Sequence, residues 1–156
     1  MNLSRRHLVG GLAALPFAVR AQSPAEKAEF YPIPVELLAG LDTVQGTVTL
    51  GNRNADIVLY EFFDYNCGYC KHAMADMLSL MKSDSKLRVV LKEFPVLGTS
   101  SVEAAQVAVA VRMQDPSGKK YLDFHQKLLS GRGQADKARA MAAAKEAGLD
   151  MARLEK

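Results

Sequence analysis

Cys67 and Cys70 are the only cysteines in this 156-residue chain, and they stand three residues apart in the stretch YEFFDYNCGYCKH. Thiols at that spacing suit one kind of chemistry. Placed in the first turn of a helix, Cys67 meets unpaired backbone N–H groups and the positive helix end, and both stabilise a thiolate. Cys70 then lies one turn on, at roughly the 5–6 Å Cα separation that a disulfide prefers. Such a pair closes and opens with little backbone movement, as a redox switch does. The same sulfurs with His72 and His125 would make a Cys₂His₂ zinc set. His72 follows the cysteines on the helix and points away from them, and His125 reads as a partly buried helix residue. No metal and no cofactor is therefore expected.

The elements that must hold the pair are legible on either side. Ile57 to Phe63, IVLYEFF, is apolar and aromatic except for Glu61, as expected of a central strand covered on both faces. Asp64, Tyr65 and Asn66 end it, with Asn66 as the expected N-cap. Beyond the cysteines, Met74, Met77, Leu78 and Met81 recur at helical spacing on one face. That stripe reads as core packing, ahead of a client-tolerant surface or a copper-binding one. Lys82 to Lys86 makes a polar turn into a second strand, Leu87 to Phe94. Strand, helix and strand in about 40 residues predict a right-handed βαβ unit with parallel neighbouring strands.

Upstream, Pro32 and Pro34 hold an extended segment before a short helix at Val35 to Leu41. Gly46 to Leu50 alternates as a strand, and Gly51-Asn52 begins the turn into Ile57. Downstream the chain is helical. Ser100-Ser101-Val102-Glu103 reads as a capping box for a helix that Asp115-Pro116 stops. Tyr121, Phe124, His125, Leu128 and Leu129 mark another. Gln134 to Ala147 forms a third, closed by Gly148, and Asp150 caps a last short one. The class is α/β.

Residues 1–21 read as a cleaved export signal. Ser4-Arg5-Arg6-His7 precedes an apolar run, Leu8 to Val19, too short to span a bilayer, and Val19-Arg20-Ala21 offers small residues to a signal peptidase. The arginine pair suits a twin-arginine signal or an ordinary secretory signal that carries two arginines. No cysteine follows Ala21, so no lipid anchor and no stable membrane anchor is expected. The chain has 20 basic and 17 acidic residues. Arg5, Arg6 and Arg20 supply the whole excess, so the mature protein is neutral and offers no basic stripe for nucleic acid.

YEFFDYNCGYC, the downstream KEFPVLG and the helical YLDFHQKLL resemble the DsbA family of thioredoxin-fold, periplasmic thiol–disulfide oxidoreductases. The similarity covers roughly Thr47 to Lys156. It implies a signal at 1–21, an N-terminal extension at 22–45, a thioredoxin-like βαβ core at 46–99 and a helical insertion at 100–156. It implies Cys67 and Cys70 as the catalytic pair, exported client proteins with cysteines, and a membrane or periplasmic redox partner. The dipeptide Gly68-Tyr69 differs from the Pro-His of the strongest oxidants and is the one found in the isomerase DsbC, so oxidase and isomerase both stay open. Tyr69 carries no positive charge, which implies a thiolate less extreme than the ~3.5 of DsbA itself.

The family places an acid at Glu61, paired with a lysine on the neighbouring strand, for which Lys92 is the match. That pair would relay protons to Cys70, or it is a structural ion pair, or Glu61 reaches water at the strand end. Family members also carry a late cis-proline loop, a hairpin and a closing helix. Pro16, Pro24, Pro32, Pro34, Pro95 and Pro116 supply no such loop. The expectation is a fragment or a degraded relative, marginally stable and weakly active, with an unpaired strand edge. Other classes left open are a non-catalytic remnant that binds partners through that edge and a metal-binding periplasmic protein.

Overall fold

The computed structural model describes residues 32–155. The expected export signal lies outside them. The described elements run α1 (Val35–Asp42), β1 (Val48–Gly51), β2 (Ile57–Phe63), α2 (Gly68–Ser83), β3 (Leu87–Glu93), α3 (Thr99–Gln114), α4 (Lys119–Ser130), α5 (Lys137–Glu146) and α6 (Met151–Leu154). The sheet has the order β1-β3-β2. β2 and β3 are parallel, as the βαβ reading requires, and β1 is antiparallel to β3.

β3 holds the centre because it pairs on both sides. Leu87, Val89 and Leu91 point to one face and are buried, the last two completely. Burying each such side chain stabilises the fold by about 1.5–3 kcal/mol. Against them pack Met74 and Met77 of α2, Phe124 and Leu128 of α4, and the small face of α3 formed by Ala104, Ala108 and Val111. The methionine stripe is thus core. Leu78 and Met81 lie partly buried at its margin.

β2 corrects the expectation of a central strand. Among the described residues it is an edge, with Ile57 54% and Phe62 46% exposed. An apolar run tells how much surface a strand can bury, not whether a neighbour lies on each side.

Two capping expectations fare differently. α5 ends as read: Ala147 is the C-cap, Gly148 takes φ 75°, and the N–H groups of Gly148 and Leu149 donate to the carbonyls of Lys145 and Ala144. This is a Schellman closure, for which a glycine in the left-handed region is the least strained choice. α3 does not use the expected box. Its N-cap is Gly98, with no side-chain cap. The Ser101 hydroxyl donates instead to Asp64, and Glu103 accepts from the Lys137 N–H. The hydroxyl proton of Ser101 goes to a buried carboxylate, a charge-assisted bond stronger than a neutral one.

Candidate active site

The sequence places a sulfur at the tip of α2, and the structure sets it one position earlier than a first-turn residue. Cys67 is itself the N-cap, at φ −82° and ψ 116°. Its Sγ accepts the Cys70 N–H at 3.4 Å, and its own N–H donates to the Asp64 carbonyl at 3.1 Å. Asn66, expected as the cap, fastens the turn to the helical region instead. Its Nδ2 donates to Ser101 Oγ and to the Ala135 carbonyl, both at 2.9 Å, and its Oδ1 accepts the Ala135 N–H at 2.7 Å. Gly68 and Tyr69 are exposed, Tyr69 by 87%, and both cysteines are half-buried thiols.

The two sulfurs have opposite tendencies. The Cys67 thiol is held below its ordinary value by the Cys70 side chain first and the Cys70 amide next. These outweigh desolvation, with the Tyr69 amide adding and the Asp64 charge opposing. Cys70 is pushed up to about 11, by burial first. The Asp64 amide opposes that rise, and the charges at Cys67 and Glu61 add to it. The first sulfur thus ionises more readily than an ordinary thiol and its neighbour less readily.

Glu61 and Lys92 do not pair. In the parallel register Glu61 lies beside Leu91, and Lys92 beside Phe62. Strand alternation therefore puts Lys92 on the opposite face from Glu61. Lys92 Nζ donates to the Gln45 carbonyl at 2.9 Å. Glu61 is left with a buried Oε1 that has no hydrogen-bond partner, and desolvation raises its pKa. The resemblance points to a lysine on the neighbouring strand, but the one-residue offset in this register puts Lys92 on the other face.

Sequence reasoning missed the polar groups behind the turn. Tyr65 Oη lies 3.4 Å from Tyr121 Oη, whose hydroxyl donates to Glu93 Oε1 at 2.6 Å, and Glu93 faces Arg112 at 3.4 Å. This chain ties the residue after Asp64 to α4, β3 and α3. Tyr121 is fully buried, so Tyr121→Phe leaves Glu93 without its hydroxyl donor. A loss of about 1–3 kcal/mol is expected, read as a lower denaturant midpoint with an unchanged slope.

His125 is fully buried, not partly so. Its Nδ1 lies 3.5 Å from Tyr65 Oη, its Nε2 has no partner, and its ring stacks on Tyr121. His72 is exposed on α2. Among the described residues no group of three or more His, Cys, Asp or Glu is placed to hold a metal ion.

The family model described as thioredoxin matches residues 43–156, which takes in the sheet, the dithiol turn and every helix after it. The chain belongs to the thioredoxin family. Solved relatives place this thioredoxin-fold chain among the DsbA-like proteins with a helical insertion. It is similar to a thioredoxin-like oxidoreductase from Silicibacter pomeroyi, at 39% identity over 72% of this chain and 62% of that one, with a TM-score of 0.65. It is similar to ScsC of Proteus mirabilis at 29% identity, over 72% of this chain and 50% of that one, TM-score 0.65. The thiol-disulfide exchange protein alpha-DsbA2 of Wolbachia pipientis matches at 31% identity, over 69% and 56%, TM-score 0.62. This thioredoxin-family chain thus spans between half and two thirds of the length of those relatives. No curated protein matches it.

Proposed function

We propose that this protein is a thiol–disulfide oxidoreductase that exchanges a Cys67–Cys70 disulfide with the cysteines of client proteins. The observation that carries this is the opposite tendency of the two sulfurs one helical turn apart, the first lowered and the second raised to about 11. In the oxidised form a client thiolate attacks the Cys67 sulfur. The Cys67–Cys70 bond breaks, and Cys70 leaves and takes up a proton. A second client thiolate then attacks the client sulfur of the mixed disulfide and expels Cys67 as thiolate. The client loses two electrons and two thiol protons as its disulfide forms; both electrons and one proton pass to the Cys67–Cys70 pair, and the second proton goes to solvent while Cys67 stays a thiolate. A stabilised Cys67 thiolate departs quickly and favours the reduced protein, so electrons flow from client to protein. Run backwards, the same steps reduce or reshuffle client disulfides.

Insulin reduction and refolding of a scrambled multi-disulfide client separate these directions. Client oxidation is the expected dominant activity. Turnover unaffected by loss of both thiols would end the proposal.

Glu61 is the proposed proton relay for Cys70. Its charge raises the Cys70 pKa, its carboxyl is itself raised by burial, and its Oε1 is free to take a proton. Glu61→Gln is expected to slow the step in which Cys70 gains or loses its proton, on the order of 10²-fold. Stopped-flow exchange across pH reads this as a lost ionisation in the rate profile, not as a uniform drop.

The proposed location is the periplasm. A periplasmic thioredoxin-like protein from Salmonella enterica is 27% identical over 80% of this chain. Among the described residues no helix is long and apolar enough to cross a membrane. The arginine pair at Arg5-Arg6 and the short apolar run after it support export. Clients would be exported chains with cysteines, and a periplasmic or membrane redox partner carrying a disulfide would restore the oxidised form. In this proposal 46–99 carries the dithiol, 100–156 is the helical insertion and 22–45 an extension.

A further inference from the structure

The dithiol turn is fastened by a side chain to which none of the preceding chemistry gives a role. Asp64 is a carboxylate only 4% exposed, three residues before Cys67. It accepts four hydrogen bonds. Oδ1 takes the Asn66 N–H at 2.8 Å and the Ser101 hydroxyl at 2.7 Å, and Oδ2 takes the N–H groups of Val96 and Leu97, both at 2.9 Å. The first of these is an Asx turn, which shapes the backbone two residues on. The Asp64 carbonyl accepts the Cys67 N–H in the same turn. The second oxygen pins that turn to the loop after β3, and Ser101 pins it to α3. Ser101 also receives Asn66, so one small network joins the turn to the helical region from two sides.

Every lone-pair direction of a carboxylate is used there, which a neutral side chain of the same shape cannot reproduce. We propose that Asp64 is a positioning residue for the dithiol, its carboxylate fixing the Asp64–Cys67 turn so that the Cys67 sulfur meets the first amides of α2. The inference rests on the thiol-exchange reading for its consequence, but its geometry is independent of it. Two effects of Asp64 on Cys67 oppose each other. Its charge disfavours the thiolate, while the turn it holds presents the Cys70 and Tyr69 amides that favour it. The Cys70 amide is in hydrogen-bond contact with the sulfur at 3.4 Å and the Asp64 charge is the smallest of the influences on it, so positioning outweighs charge.

The test is Asp64→Asn in the full chain, read by the pH profile of Cys67 alkylation in the reduced protein. An asparagine turns two of the four contacts into donor facing donor. The profile is expected to move to higher pH, with alkylation near neutral pH falling by about tenfold for every pH unit that it moves. A move to lower pH would mean that Asp64 acts by charge alone and would overturn the proposal. An unchanged profile in a folded variant would overturn it as well. Ser101→Ala keeps the charge and removes one contact, and it carries the test should Asp64→Asn not fold. It is expected to move the profile in the same direction by less, and an unmoved profile there counts against the proposal. Wild-type exchange with insulin, measured in parallel, separates the two ideas. Its absence would end the exchange reading while leaving the alkylation result to decide the role of Asp64.

Discussion

Cys67→Ser is expected to reduce dithiol exchange to the uncatalysed rate, and Cys70→Ser to stop it part-way. The two outcomes differ because the two sulfurs differ. Cys67 is the half-buried helix-tip sulfur with a lowered pKa. A serine hydroxyl there is neither ionised near neutral pH nor able to form a disulfide, so no first bond to the client can form. Cys70 has the opposite role. With its thiol replaced, Cys67 can still attack a client disulfide, but nothing remains to resolve the adduct. The expected product is a one-to-one mixed disulfide that persists under non-reducing electrophoresis and collapses with added dithiol. Client adducts that formed equally on Cys67→Ser would reverse the assignment.

Acid is expected to destabilise the fold well above the range where carboxylates titrate, and His125 is the reason. Burial lowers its pKa from 6.5 to about 3. A folded-state value below the unfolded one means that the unfolded chain binds the extra proton first. The stability that the neutral ring contributes is therefore complete above about pH 6.5 and is lost as pH falls toward about 3. The slope from this one group is about 1.4 kcal/mol per pH unit. Across that window the loss approaches about 5 kcal/mol, comparable to the whole stability of a marginal domain.

Two other effects flank it. Asp64 and Asp115 have lowered values, so their contribution is lost only below the usual carboxylate value of 3.8. Glu61 is raised and works in the opposite sense, its contribution declining as pH rises above 4.5. Urea unfolding of wild type and His125→Leu at several pH values isolates the histidine. The stability of wild type minus that of the leucine variant is expected to fall as pH drops below 6.5, because the leucine variant has no ring to protonate. A constant difference across that range would assign the acid sensitivity elsewhere.

The secondary structure was legible wherever a local pattern decided it. β2 at Ile57–Phe63 matches the expected strand residue for residue, and α5 closes at Gly148 because a glycine there has a specific geometric use. The dithiol was legible because two cysteines at that spacing, after a strand and before an apolar helical stripe, have few other purposes. What lay hidden was set by partners distant in sequence. Whether β2 is central or an edge depends on what pairs with it, which its own seven residues do not encode. Asn66 and Ser101 carry strong capping signatures, yet they bond across 35 residues to each other, and Ser101 also donates to Asp64.

Lys92 shows the finest of these limits. Its place on β3 is legible, but a parallel register shifted by one residue turns it from a partner of Glu61 into a neighbour of Phe62. Tyr65 and Tyr121, read as a strand end and a helix marker, are both core aromatics. Their hydroxyls, joined to Glu93, are what make that part of the core specific.

The central claim is that the two sulfurs titrate apart, the outer one first. Thiolate absorbance followed across pH in the reduced protein, repeated on Cys70→Ser to assign the first step, measures this directly. The expected result is a first ionisation below the ~8.5 of a free thiol, belonging to Cys67, and a second near 11 belonging to Cys70. A single transition at the free-thiol value, or a first step that vanishes when Cys70 is removed, would contradict it.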